Sequence, residues 1–352
     1  MSSTLRRRVL MLDKRQRKIL KAVVYRYIMT GVPVGSKSLA ETLNLGISPA
    51  TIRNELNRLE SMGYLYQPHV SAGRVPTDMG YRFYVDSLMG RTRLREEEKE
   101  AIITLFSNKT QELENLLQET STLLSRLTSA AAMIIAPSLR SNLIKHVDLV
   151  RLTEDMILLV IITNTGRVEK KIFDAAPEDR GVNLDAVQGL LNRKLQGKGL
   201  EQLPDFQPEK YLRDRQAARL ASKVVGIIED ILGHEKYEKI YVGGTMNLLR
   251  YLDEEGMKRM EELLRHFEEK YFLLNLLSEA IRSRELMVRI GDENIFKELQ
   301  HFSLVATPYL VGEETMGTVS VLGPTRMDYA RVIPTVDFIA KSLSHTLEML
   351  KG

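Results

Sequence analysis

Between Leu20 and Leu59 apolar residues recur at three- and four-residue spacing in three blocks, the period of amphipathic helices. Leu20, Val23, Val24, Tyr27 and Ile28 form the apolar face of a first helix. Asp13 and Gln16 can open it as a capping box, while Gly31 and Pro33 stop it. Ser36 is placed to cap a short second helix whose Leu39, Ala40 and Leu43 face inward. The tight connection Asn44-Leu45-Gly46-Ile47 leads to Ser48 as the next cap and Pro49 at the first helical position. Ile52, Leu56 and Leu59 then give a third helix one buried stripe. After Gly63 the pattern changes, and Tyr64 to Gln67 can pair with Arg74 to Pro76 around a tip from Pro68 to Gly73. Helix, helix, turn, helix, hairpin is the order of a winged helix-turn-helix.

At 100° per residue, Ala50, Arg53, Asn54, Asn57 and Ser61 fall on the flank and back of the third helix's stripe. Arginine and asparagine make paired hydrogen bonds to guanine and adenine edges in a major groove. Asparagine is a poor helix former, so a merely solvated face gains little from two of them. The candidate DNA-contacting residues are Ser36, Lys37, Ser48, Ala50, Thr51, Arg53, Asn54, Asn57 and Arg58, with His69, Ser71 and Arg74 of the hairpin reaching phosphates or a minor groove. Charge points the same way. Residues 1–95 hold 17 lysines and arginines against 6 acids, so a chain of net charge +4 carries −7 over the remainder. Salt-sensitive attraction to phosphates follows from that asymmetry. Arg6, Arg7 and Arg8 add a basic lead-in.

Several runs in this region resemble one family: Pro33-Val34-Gly35-Ser36-Lys37, Ser48-Pro49-Ala50-Thr51-Ile52-Arg53-Asn54-Glu55-Leu56, Gly63-Tyr64-Leu65, Pro68 through Thr77, and Gly80 through Asp86. They are similar to those of the bacterial heat-inducible transcription repressors of the HrcA family, across about residues 12–89. Leu56 and Val75 stand where Met and Ile are expected, without changing the chemistry. The resemblance implies a homodimeric repressor of chaperone operons, an inverted-repeat operator called CIRCE, and the chaperonin GroEL as an aid to the active fold. It also implies a GAF-like α+β domain interrupted by a dimerising insert.

The rest of the chain supports a multidomain α+β protein. With 352 residues, two or more domains are expected. The pattern divides the chain into 1–95, a winged helix-turn-helix; 96–200 and 280–352, two parts of an α+β domain; and 201–279, a helix-rich insertion; the resemblance implies that the α+β domain is GAF-like and the insertion a dimerisation domain. A charged stretch from Arg91 to Glu100 reads as a linker and helix start, followed by a leucine seam from Leu105 through Leu127 to Ala132. Strands are predicted at His146–Leu152, Met156–Thr163, Arg167–Phe173, Leu286–Ile290, Phe302–Leu310 and Thr315–Val321. They read as one split sheet with helices on one side. The insert contributes a short strand at Lys239–Val242 and an apolar cluster (Tyr271, Phe272, Leu273, Leu274, Leu276 and Leu277) that suits either a dimer contact or buried core.

Enzyme chemistry finds little support. The six histidines show no ligand-spaced pair, no cysteine exists, and no phosphate loop or nucleophile elbow occurs. Neither a metal nor a cofactor is expected, and Gly243-Gly244 is better read as a tight turn. No apolar run is long enough for a bilayer and residues 1–12 lack the apolar core of a signal peptide, so a cytoplasmic location is expected. Two alternatives stay open: a small-molecule-responsive winged-helix regulator, and an interaction module whose basic face meets something other than duplex DNA.

Overall fold

The computed structural model describes residues 12–43, 46–90, 93–107, 112–137, 143–164, 166, 168–199, 202–203, 206–234, 239–251, 270–312 and 314–351. The basic lead-in Arg6–Arg8 and the Asn44-Leu45 step lie outside them. The first unit has the expected order. Helix α1, Lys14–Thr30, is opened by Asp13, which accepts from the Arg15 and Gln16 amides while Gln16 reaches back to the Asp13 amide. Gly31 closes it at φ +67°. Helix α2, Ser36–Leu43, includes Ser36 as its first residue. Helix α3, Pro49–Ser61, is capped by Ser48, whose hydroxyl accepts from the Thr51 amide at 3.2 Å. Strands β1, Leu65–Tyr66, and β2, Val75–Pro76, pair antiparallel and are shorter than the pattern suggested. Helix α4, Asp78–Phe83, follows and runs on as a π-helical turn, Tyr84–Leu88.

Next come α5, Glu96–Phe106, and α6, Leu113–Thr128, which divide the leucine seam. Ala131 and Ala132, read from sequence as the end of that seam, instead open β3, Ala131–Ile135, a strand buried at every position. It is the second strand of a five-stranded antiparallel sheet of order β7-β3-β10-β9-β8. The others are β7, Ile240–Gly243; β8, Met287–Ile290; β9, Phe302–Val311; and β10, Glu314–Pro324. Gly312 turns the chain at φ +62°, and the β9–β10 register shifts between Thr315 and Gly317. One sheet face packs against α6 and the closing helix α10, Tyr329–Lys351. The other packs against α9, Lys270–Ser283. Helices therefore cover both faces, not one.

The predicted strands near 144–174 exist, but not in that sheet. β4, Ile144–Thr153; β5, Met156–Thr163; and β6, Val168–Asp174 form a separate three-stranded sheet. With α7, Leu184–Leu195, and α8, Arg215–His234, they enclose a core of their own that includes Val147, Ile161, Leu191, Leu220 and Val224. The strand at 240–243, assigned from sequence to the insert, pairs with β3 instead. Phe272, Leu273, Leu276 and Leu277 of α9 are buried against the five-stranded sheet, so the core reading holds for these four. Among the described residues no helix is long and apolar enough to cross a membrane, and no group of acids and histidines could hold a metal ion.

The winged unit is not tethered by a loose linker. One apolar cluster runs from Ile19 and Ile52 through Tyr81 to Tyr329 and Leu343, so its core continues into that of the sheet unit. Arg82 donates to the Val288 carbonyl at 2.6 Å and pairs with Glu293. Glu98 of α5 is nearly buried and meets Arg95 and Arg331, each at 2.7 Å. Burial alone would raise its pKa, but the hydrogen bonds from Arg95 and Arg331 overcome that and hold the carboxyl below its ordinary range. A depressed carboxyl stabilises the fold above its unfolded pKa and loses that contribution as pH falls through the folded value. Urea unfolding of the wild type and Glu98→Gln should thus differ above the usual carboxylate range and converge in acid; a constant gap would exclude this role.

Candidate nucleic-acid interface

Burial of Ile52, Leu56 and Leu59 leaves Ala50, Arg53, Asn54, Asn57 and Arg58 exposed on the outer side of α3, and Thr51 half-buried. The Ser48 hydroxyl is engaged as the helix cap. Lys37 is exposed and Ser36 half-buried at the start of α2. His69 and Ser71 flank Val70, which is 98% exposed at the wing tip. The tip is held closed from within, since Gln67 Nε2 donates to the carbonyls of Val70 at 2.9 Å and Ala72 at 2.8 Å. Between α3, the α2 start and the wing lies a groove of about 540 Å³, lined among others by Ser36, Arg53, Asn57 and Ser71. Of the twelve predicted residues, Ser36, Arg53, Asn57, Ser71 and Arg74 line this groove.

Arg74 is turned to partners within the protein. Its side chain is only 13% exposed and its Nη2 sits 2.8 Å from both Glu60 Oε2 and Asn57 Oδ1. Its backbone exchanges two 2.9 Å hydrogen bonds with Val34. Next to it, a Cβ on Gly73 would lie 2.5 Å from the Val34 carbonyl carbon, so only glycine permits this approach. Arg74 therefore braces the wing against α3 and the α1–α2 connection, instead of reaching outward. It also donates to Asn57 Oδ1, taking one of the two acceptor positions of that oxygen and leaving the amide N–H groups to offer.

Glu55 was missed from the sequence. It is 5% exposed, within the apolar stripe, and accepts from Gln16 Nε2 at 3.3 Å. Arg15 and Arg58 approach it at 3.8 and 3.5 Å. A carboxylate placed between Ile52 and Leu56 was the available signal. Arg58 and Arg15, themselves exposed, thus lean on this carboxylate from the surface.

Known proteins place this surface in a family. The family model described as "Winged helix-turn-helix transcription repressor, HrcA DNA-binding" matches residues 11–85, and that described as "HrcA protein C terminal domain" matches 114–333. The chain belongs to the HrcA family. Heat-inducible transcription repressor HrcA of Desulforamulus reducens is 36% identical over 351 residues, covering 97% of this chain and 99% of its own. The Thermobifida fusca protein of that name is 40% identical over 337 residues, covering 96% and 97%. A crystal structure of a hypothetical protein, at 2.2 Å resolution, superimposes with a TM-score of 0.69 at 30% identity and covers 96% of this chain and 99% of its own. As an HrcA chain it is a transcription repressor with a DNA-binding winged helix, not an enzyme. Arg74→Ala should lower stability by about 1–3 kcal/mol, by stranding Glu60 and unbracing the wing. Val70→Ser should stay within about 0.5 kcal/mol of wild type. Chemical denaturation of both variants checks the contrast.

Proposed function

We propose that this chain represses chaperone operons by binding a CIRCE-type inverted repeat as a homodimer in the cytoplasm, and that heat releases it. The observation that carries this is the exposed Arg53, Asn54 and Asn57 face beside a wing-closed groove. Within that site Arg53 and Asn54 read base edges in a major groove. Asn57, steadied by Arg74 at its oxygen, offers its amide donor to a base acceptor or phosphate. Ser36, Lys37 and the wing residues His69 and Ser71 contact the backbone. One reader helix spans few base pairs, so selectivity requires two copies on a symmetric site.

The five-stranded unit is read as the GAF-like domain and the unit spanning 144–234 as the dimerising insert. Support for the latter is an uncovered apolar row. Val150, Leu158 and Ile172 are cross-strand neighbours on the sheet face turned away from α7 and α8, with Val150 and Ile172 42% and 54% exposed. Leu152 and Met156 extend the row. Such a face marks a contact surface. Heat would act through marginal stability, where a loss of ~1–2 kcal/mol changes the active fraction several-fold. GroEL assistance enters from the family resemblance.

Footprinting on an inverted repeat tests the reading. Arg53→Ala and Asn54→Ala should each cost about 1–3 kcal/mol of discrimination against mutated repeats. Lys37→Ala should weaken every sequence alike and lower the salt slope by about one. Equal behaviour of the two groups would overturn the assignment of α3 as reader. Ile172→Asp should shift the chain toward monomer in analytical ultracentrifugation, and an unchanged dimer would remove the β4–β6 face from the interface.

A further inference from the structure

The junction between the winged unit and the five-stranded unit encloses a second concavity, of about 550 Å³. That is within the ordinary range of small-molecule sites. Tyr27 of α1, Tyr66 of β1 and Tyr81 of α4 wall it on the winged side. Asp292 and His301, between β8 and β9, and Arg326, in the turn between β10 and α10, wall it on the other.

Tyr81 is the decisive group. It is 2% exposed, and its hydroxyl has no hydrogen-bond partner within the protein. Two other deeply buried tyrosines of this chain are satisfied. Tyr309 donates to the Ile135 carbonyl at 2.6 Å, and Tyr329 donates to the Thr325 carbonyl at 2.6 Å. Buried hydroxyls are normally paired, so an orphan on a residue that lines a cavity marks a place for a ligand acceptor reached through that lining. Burial raises the Tyr81 phenol well above its ordinary pKa, so it remains a donor at neutral pH. The Arg326 charge acts on the same hydroxyl.

The opposite edge is acidic. Asp78 accepts the Asp292 amide at 2.8 Å, and Gly291, at φ +53°, admits that carboxylate where a Cβ would lie 1.8 Å from Asp78 Oδ2. A bare inorganic anion would face the two carboxylates with nothing to offer them. A ligand with an acceptor at one end and a donor at the other satisfies both edges.

We propose that this cleft binds a small carboxylate that also carries a hydrogen-bond donor, of the size of an amino acid or hydroxy acid. Its carboxylate meets the Tyr81 hydroxyl and the Arg326 guanidinium, its donor meets Asp78 and Asp292, and the tyrosine rings cover its body. Both units contribute walls, so occupancy favours one relative arrangement of reader and sheet.

The test is thermal-shift screening of the full chain against the standard amino acids, 2-hydroxy acids and inorganic phosphate, with calorimetry of any hit. At least one amino acid or hydroxy acid should raise Tm saturably. Tyr81→Phe and Arg326→Gln should each weaken its affinity by about tenfold. Without ligand, Tyr81→Phe should melt at or above the wild-type Tm, because it removes an unsatisfied hydroxyl. The proposal is overturned if no panel member shifts Tm, if phosphate stabilises as strongly as the best of them, or if Tyr81→Phe keeps full affinity. A lower ligand-free Tm for Tyr81→Phe would overturn it too, by showing that the hydroxyl already has a partner.

Discussion

The roll of α3 about its own axis is the constraint on which the reading surface depends. Ile52 and Leu59 are fully buried and Leu56 nearly so. Turning the helix to bring any of them to the surface would forfeit about 1.5–3 kcal/mol per side chain. Glu55 tightens the setting, since a carboxylate at that depth needs the Gln16 amide and the approaching arginines to remain where they are. With one side pinned, Arg53, Asn54 and Asn57 have a single direction left. The exposed face is thus set by the buried apolar stripe and one buried acid, with Arg74 adding a direct hold on Asn57.

Local chemistry was readable from the chain and remote partnership was not. The Asp13–Gln16 box, the Gly31 stop and the Ser48 cap all involve residues within four positions of one another. Arg74 looked like a phosphate ligand because an arginine beside a hairpin tip usually is one. Its true partners are Asn57, Glu60 and Val34, 14 to 40 positions away, and nothing in the local pattern names them. For the same reason Glu55 passed as an ordinary helix residue.

Sheet membership shows the same boundary at a larger scale. The alternation in β4 and the apolar run of β5 announced strands, yet a strand carries no label for the sheet it joins. β3 was lost into the preceding helix, as five consecutive apolar residues have no period to separate strand from helix. Its neighbours are set by pairings such as Ala132 with Gly243 and Val321, each more than a hundred positions distant. A single sheet built from residues 131 to 324 leaves room for 144–234 to fold by itself, and only the pairing reveals where that excursion begins.

The apolar cluster shared by the winged and sheet units has a thermal consequence. Tyr81 of α4 packs 6.0 Å from Tyr329 of α10, and Arg82 fastens the same helix to Val288 and Glu293. Subdomains that share an interior tend to lose it together, so warming that opens the sheet unit's core opens the winged unit with it, whereas residues 144–234 keep a core of their own.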